Sequence, residues 1–143
     1  MSSTATFYKI PFDIFLKDSR ECGFIDTDTP EEIVKIIWGR ARLPEFRTTH
    51  RPQYRLLLPF PVCVQAGSTF IMPTGVYPEI LDGWVMHYYP AQGLTLLEHN
   101  SNGHVLLKMK AKENHSYQEG EVFAYAGYEP KEDENWLKRS PDD

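Results

Sequence analysis

The sequence predicts a mostly β domain with one helix near its N-terminus, and three observations predict it. Eleven prolines and nineteen aromatic residues in a chain of 143 favour strands broken by turns over long helices. From Gln53 onward the apolar spacing has period two, the signature of strands with one buried face. Only the stretch from Thr29 to Arg42 combines a helix start signal with helical spacing.

Taken in order, "TFYKIPFDIFLKD" is aromatic and β-branched with Pro11 in its middle, which predicts one or two short strands. Thr29 as cap, Pro30 at the first helical position and Glu32 three residues after Thr29 then complete a capping box, so a helix is expected from about Pro30 to Arg42. Its expected buried stripe is Ile33, Ile36 and Ile37, with Trp38 and Ala41 at the margin. "YRLLLPFPVCVQAG" is a strand interrupted by Pro59 and Pro61, hence at an edge or on a bend. "STFIMPTGVYPEI" and "GWVMHYYP" flank Asp82-Gly83, a hairpin signal. After a turn at Asn100 to Gly103, "GHVLLKMKAKE" should bury Leu107, Met109 and Ala111 and wet Lys108, Lys110 and Lys112, and "GEVFAYAGY" is the last strand.

Bulk properties narrow the function classes. The length suits one domain over residues 1–143, read as an N-terminal strand-and-helix addition (1–50), a β core (51–128) and an acidic tail (129–143). No apolar run is long enough to cross a bilayer and Met1 to Thr6 lacks a signal peptide's order, so a cytoplasmic protein is expected. Cys22 and Cys63 lack metal-ligand spacing, and Cys63 sits between two valines where a thiolate is disfavoured. A net charge of −5 argues against a nucleic-acid partner. Five of the seven arginines nevertheless fall between Arg40 and Arg55, with Glu45 the only acid among them.

Four short motifs then carry a resemblance. Pro73-Thr74-Gly75-Val76 is followed by Glu79-Ile80 and Gly83, and then by Pro90-Ala91-Gln92-Gly93-Leu94; Gly103-His104-Val105 and Glu119-Gly120-Glu121 with Phe123-Ala124 come later in the same order. From Tyr54 to Tyr128 the chain thereby resembles the trimeric dUTPase and dCTP deaminase superfamily, with its "PTG" turn, "PRSGL" phosphate turn, "RGE" strand opening and "KGDxIAQ" turn. The resemblance implies a β-clip, a distorted jelly roll, and a homotrimer.

The departures bear on chemistry. Arg55 stands where the family's first motif ends in aspartate, and Ala91 and Gln92 replace the arginine and serine of the phosphate turn. The interval from Leu94 to Gly103 is too short for the hairpin that bears the family's water-activating aspartate, and no glycine-rich C-terminal arm follows. Hydrolysis of a phosphoanhydride needs that base and positive charge with Mg²⁺ on the oxyanions. Exchanging a carboxylate for Arg55 disfavours a metal there and favours an anion. Arg47, Arg51 and Arg55, with Gln92 and Gly93, are therefore the candidate phosphate-binding residues. No catalytic residue and no metal ligand is assigned; Mg²⁺ enters only under a hydrolase reading.

The other conspicuous side chains have plainer explanations. His99 and His104 read as solvent-facing turn residues, and His87 as a strand residue packed on aromatics. Trp84, Tyr88 and Tyr89 look exposed on one strand, which supports self-association. Three functions remain in competition. They are a non-catalytic protein binding a nucleotide or other phosphorylated ligand, an oligomeric scaffold, and a nucleotide hydrolase with relocated groups.

Overall fold

Strands dominate, as the period-two spacing requires. The computed structural model describes residues 4–100 and 103–131. They form β1 (Thr6–Lys9), α1 (Phe12–Glu21), α2 (Glu31–Gly39), β2 (Glu45–Phe46), β3 (Tyr54–Leu57), β4 (Val62–Val64) and β5 (Thr69–Pro73). There follow β6 (Val76–Glu79), β7 (Trp84–Pro90), β8 (Leu94–His99), β9 (Leu106–Ala111), β10 (His115–Tyr117) and β11 (Val122–Pro130). All pairings are antiparallel, in sheets ordered β2-β3-β11-β7, β5-β9-β8, β1-β6 and β10-β4. Most of the acidic tail lies outside the described residues. Among them no helix is long and apolar enough to cross a membrane.

The sheets enclose one large core. Alternation works as expected on β9, where Leu107, Met109 and Ala111 are buried and Lys110 is exposed. The same periodicity buries Leu56 of β3, Met72 of β5, Met86 and Tyr88 of β7, and Phe123, Ala124, Ala126 and Tyr128 of β11. Pro59 and Pro61 mark a bend, because β3 and β4 on either side join different sheets.

Several expectations are corrected. Asp82-Gly83 does form a turn, with the Trp84 N–H donating to Leu81 O at 3.0 Å, but β6 pairs with β1 and β7 with β11. The turn hands the chain from sheet to sheet and makes no hairpin. Leu94 to His99, assigned to no element from sequence, is strand β8 beside β9. On β7 only Tyr89 is truly exposed, since Tyr88 is buried and Trp84 stacks on Tyr128 at 4.8 Å. Cys63 is exposed, 3.4 Å from Ser116 Oγ, and both cysteines are free.

The N-terminal segment differs most. Strand structure stops at Lys9, and a second helix, α1, replaces the rest of the expected strand. Phe12, Phe15, Leu16 and Ser19 recur at helical spacing, and Phe15 and Ser19 are fully buried. Pro11 sits just before the helix, where its missing N–H costs nothing and its carbonyl accepts from the Ile14 and Phe15 N–H groups.

Helix α2 starts and turns differently from expectation. Pro30 is its N-cap and no side chain caps it, so the Thr29–Glu32 capping box is absent. Its buried residue is Val34, at 0% exposure, while Ile33 and Ile36 are 47% and 55% exposed. Trp38 sets this rotation. A half-buried indole N–H needs an acceptor, and Trp38 Nε1 finds Ile10 O at 2.6 Å. Phe12 meets the ring edge-on and Lys9 Nζ lies 4.2 Å over it. With Trp38 turned inward, Val34 follows it one turn back and Ile33 and Ile36 face water.

Ile10, Phe15, Ile25 and Val34 form a second, smaller core under the helices. The two layers meet at Gly75, whose φ of +81° suits glycine and whose added Cβ would stand 2.6 Å from Ala41 Cβ. Phe15→Ala should destabilise by about 3–5 kcal/mol, whereas Ile36→Ala should change stability by less than about 0.5 kcal/mol. Urea unfolding midpoints of the two variants check this directly.

Candidate ligand-binding site

The strand order brings arginines and tyrosines onto one face. Arg55 of β3 lies opposite Tyr125 of β11, which lies opposite Tyr89 of β7. Their neighbours Tyr54, Leu56, Ala124, Ala126 and Tyr88 are buried, so alternation points this row away from the core. Arg47 adds to it from the β2–β3 connection. Its guanidinium lies 5.1 Å from the Tyr125 ring centroid, a cation–π distance, and donates to Pro52 O at 2.5 Å.

The three arginines are held differently. Arg55 pairs with Glu45, its cross-strand partner on β2, but both side chains are more than a third exposed, so the pair contributes little to stability. Arg51 makes no hydrogen bond or ion pair among the described residues. It stands at the mouth of a 370 Å³ recess shared with Pro52, Tyr89, Tyr125, Gly127 and Glu129. Burial, and then the Glu129 carboxylate, push the Tyr89 hydroxyl above its ordinary pKa, so it stays a neutral donor. Arg47 and Arg55 each retain a buried Nε–H with no acceptor among the described residues.

Gln92 and Gly93 occupy the turn from β7 to β8. Ala91 N–H donates to Phe123 O and Leu94 N–H to Ala91 O, while Gly93 O accepts from Lys112 N–H. The Gln92 and Gly93 N–H groups have no acceptor among the described residues. Gly93, at φ +92°, presents this small nest of donors, the backbone arrangement that suits an anion. Phe123, against the turn, is two residues along β11 from Tyr125, about 7 Å. The Glu113 carboxylate lies beside Gly93 and disfavours negative charge at this turn.

Sequence reasoning grouped five arginines, and the structure divides them. Arg40 and Arg42 both reach Glu119, at 3.9 and 3.8 Å, on another turn. Sequence reasoning did not place Tyr89, Tyr125 and Gly127 in the recess beside Arg51. Their signal is relational, since only the β3-β11-β7 order puts them beside Arg51. His87, expected against aromatics, is partly exposed and lies 3.8 Å from Glu129.

Comparison with solved structures shows what this frame is. The dUTPase of Streptococcus mutans superposes with a TM-score of 0.50 at 22% identity, covering 74% of this chain and 91% of that one. The dUTPase of Staphylococcus bacteriophage 80alpha bound to dUPNHPP gives 0.53 at 15% identity, covering 90% and 83%. A mutant of the phage 80alpha dUTPase gives 0.53 at 16% identity, covering 91% and 85%. The fold is that of the dUTPases. No protein-family model matches the chain, and no curated protein does.

Within the dUTPase-like fold, His104 is not the exposed turn residue expected from sequence. It is 5% exposed and ties α1 to the Thr74-Gly75 turn. The Gly75 N–H donates to His104 Nε2 at 2.9 Å, so Nε2 carries no proton and Nδ1–H donates to Asp18 Oδ2 at 2.8 Å. A histidine–carboxylate pair invites a catalytic reading, and it borders a 420 Å³ recess lined by Ile10, Pro11, Ile14 and Tyr77. The lone pair a general base would use is already taken by Gly75. The pair is a fastening between layers. His99, by contrast, is exposed at the end of β8, with Tyr88 edge-on at 5.0 Å.

Burial lowers the His104 pKa below its ordinary 6.5, against the opposite pull of Asp18. The unfolded chain therefore takes up this proton first as pH falls. Stability from this group is intact above about pH 6.5, declines as pH drops toward the lowered folded value, and levels off below it. His104→Gln should flatten that step. Urea midpoints of both proteins, measured from above to below pH 6.5, give the comparison.

Proposed function

We propose that this protein binds a phosphorylated ligand, a nucleotide in particular, on the arginine–tyrosine face and does not hydrolyse it. The observation that carries the reading is Arg51 standing unpaired at the mouth of an aromatic recess, with Arg47 and Arg55 alongside. Guanidinium groups offer planar forks of donors suited to phosphate oxygens, and the free N–H groups at Gln92 and Gly93 add donors without side-chain charge. Arg55 in place of a carboxylate gives this row a cation where dUTPase-like chemistry calls for a metal ligand. Strand β8 runs directly into the connection to β9, leaving no length for an added base-bearing hairpin. The solved dUTPase bound to dUPNHPP supports a nucleotide as the ligand class, and the proposal extends that to this chain.

A second reading is self-association, with a homotrimer as the proposed state. The apolar pair Ile33 and Ile36, exposed one turn apart on α2, favours a covered surface. Light scattering should then report three times 16.6 kDa; the single-chain mass at micromolar concentration would overturn it.

Thermal unfolding with nucleoside mono-, di- and triphosphates tests binding. A ligand at a hundred times its Kd should add about 2.7 kcal/mol of apparent stability. Arg51→Glu should abolish the shift without lowering the unliganded midpoint. With dUTP and Mg²⁺, pyrophosphate release should stay far below the order of 1 per second typical of enzymes. Turnover at that rate, or no shift with any phosphorylated compound, would refute the reading.

A further inference from the structure

A glycine inside a long strand needs a reason. Gly127 lies in the middle of β11, where it pairs with His87 of β7. Glycine there loses more conformational entropy than any other residue and packs nothing, so it is destabilising unless something requires it. Backbone conformation does not require it, since Gly127 is not among the residues with positive φ. Crowding does not require it either. An added Cβ would meet Pro52 Cβ, Gln53 Oε1 and Tyr89 Cε2 each at 3.6 Å, ordinary contact distances. What the missing side chain does is leave space. It forms the floor of the 370 Å³ recess whose sides are Pro52, Tyr89 and Tyr125 and whose rim carries Arg51 and Glu129.

We infer that the recess over Gly127 seats a flat heteroaromatic ring, the base of a nucleoside phosphate, with the phosphate directed to Arg51 and Arg47. The inference rests on the phosphate-binding reading and deepens it by naming where the ring goes. A bare backbone lets a flat group approach closely, and the two tyrosines, directly opposite one another on β11 and β7, supply aromatic surface beside it. Charge complementarity selects the occupant. A purely apolar side chain from another protein would fit the floor but leave Arg51 without an anion, whereas a nucleotide fills both. The Glu129 carboxylate accepts from ring N–H or amino donors, which every common base presents. Gln53 also lines the recess, its amide held by the Tyr128 backbone, donating to Tyr128 O at 3.1 Å and accepting from Tyr128 N–H at 3.2 Å.

The test compares ATP, dUTP and inorganic tripolyphosphate by calorimetric titration against the full chain and two variants. Gly127→Val fills the floor, and Tyr89→Ser removes an exposed wall residue without touching the core. At least one nucleotide should bind about tenfold more tightly than tripolyphosphate, the scale of one stacked base. Both variants should erase that difference, and Gly127→Val, which leaves the arginines and the Tyr89 hydroxyl in place, should keep tripolyphosphate affinity unchanged. Should Gly127→Val unfold, Tyr89→Ser still decides. Equal affinity for nucleotides and tripolyphosphate, or an undiminished nucleotide preference in Tyr89→Ser, overturns the ring seat and leaves the phosphate reading standing. Binding of none of the three probes overturns the phosphate reading itself.

Discussion

Strand β11 is shared by two partners, and a buried glutamine amide finishes what one of them leaves undone. The β3 ladder stops at Tyr54, opposite Ala126, while β11 continues to Pro130 beside β7. At Tyr128 the missing partner is the Gln53 side chain, whose amide gives and takes the two hydrogen bonds that a further strand residue would have made. Gln53 is 4% exposed, so leaving those backbone groups unmet would cost their full desolvation. The substitution of side chain for main chain frees the backbone at Arg51 and Pro52 to leave the sheet. That departure, in turn, is what puts Arg51 over the outer face.

The β core was legible in sequence because its signals are local. Alternation on β9, the proline break between β3 and β4, and the turn glycines each report on a few adjacent residues. The helical layer was less legible, since two of its decisive contacts are not local. Phe12 to Ser19 follow a strand-like opening, and only the second core reveals their helical stripe. The rotation of α2 depends on Trp38 reaching Ile10, 28 residues away, which overrode the more hydrophobic face of isoleucines. Asp82-Gly83 shows the same limit differently. The dipeptide encoded the turn, but the choice of strand partners belonged to the whole sheet.

For the site, sequence supplied residue types and the fold supplied neighbours. Arg47, Arg51 and Arg55 were visible as a cluster, and Gln92 and Gly93 as a turn. That Tyr125 sits between Arg55 and Tyr89 follows only from β11 lying between β3 and β7. His104 was misjudged because its partner Asp18 is 86 residues away and nothing near Gly103 announces burial. Its value is structural. A neutral imidazole with one nitrogen giving and the other receiving joins α1 to the Thr74-Gly75 turn.

That joint has a dynamic consequence. Helices α1 and α2 cover their own small core of Ile10, Phe15, Ile25 and Val34, and they meet the β layer at the Gly75–Ala41 approach and the His104 bridge. The seam is fastened by those polar bonds, by the Gly75–Ala41 approach and by Phe24, which packs against both cores, and the helical core behind it is the smaller and so the less stable unit. Amide protons of the helical layer then exchange with solvent by opening along this seam, while those of β11, locked from both sides, wait for the whole molecule to unfold.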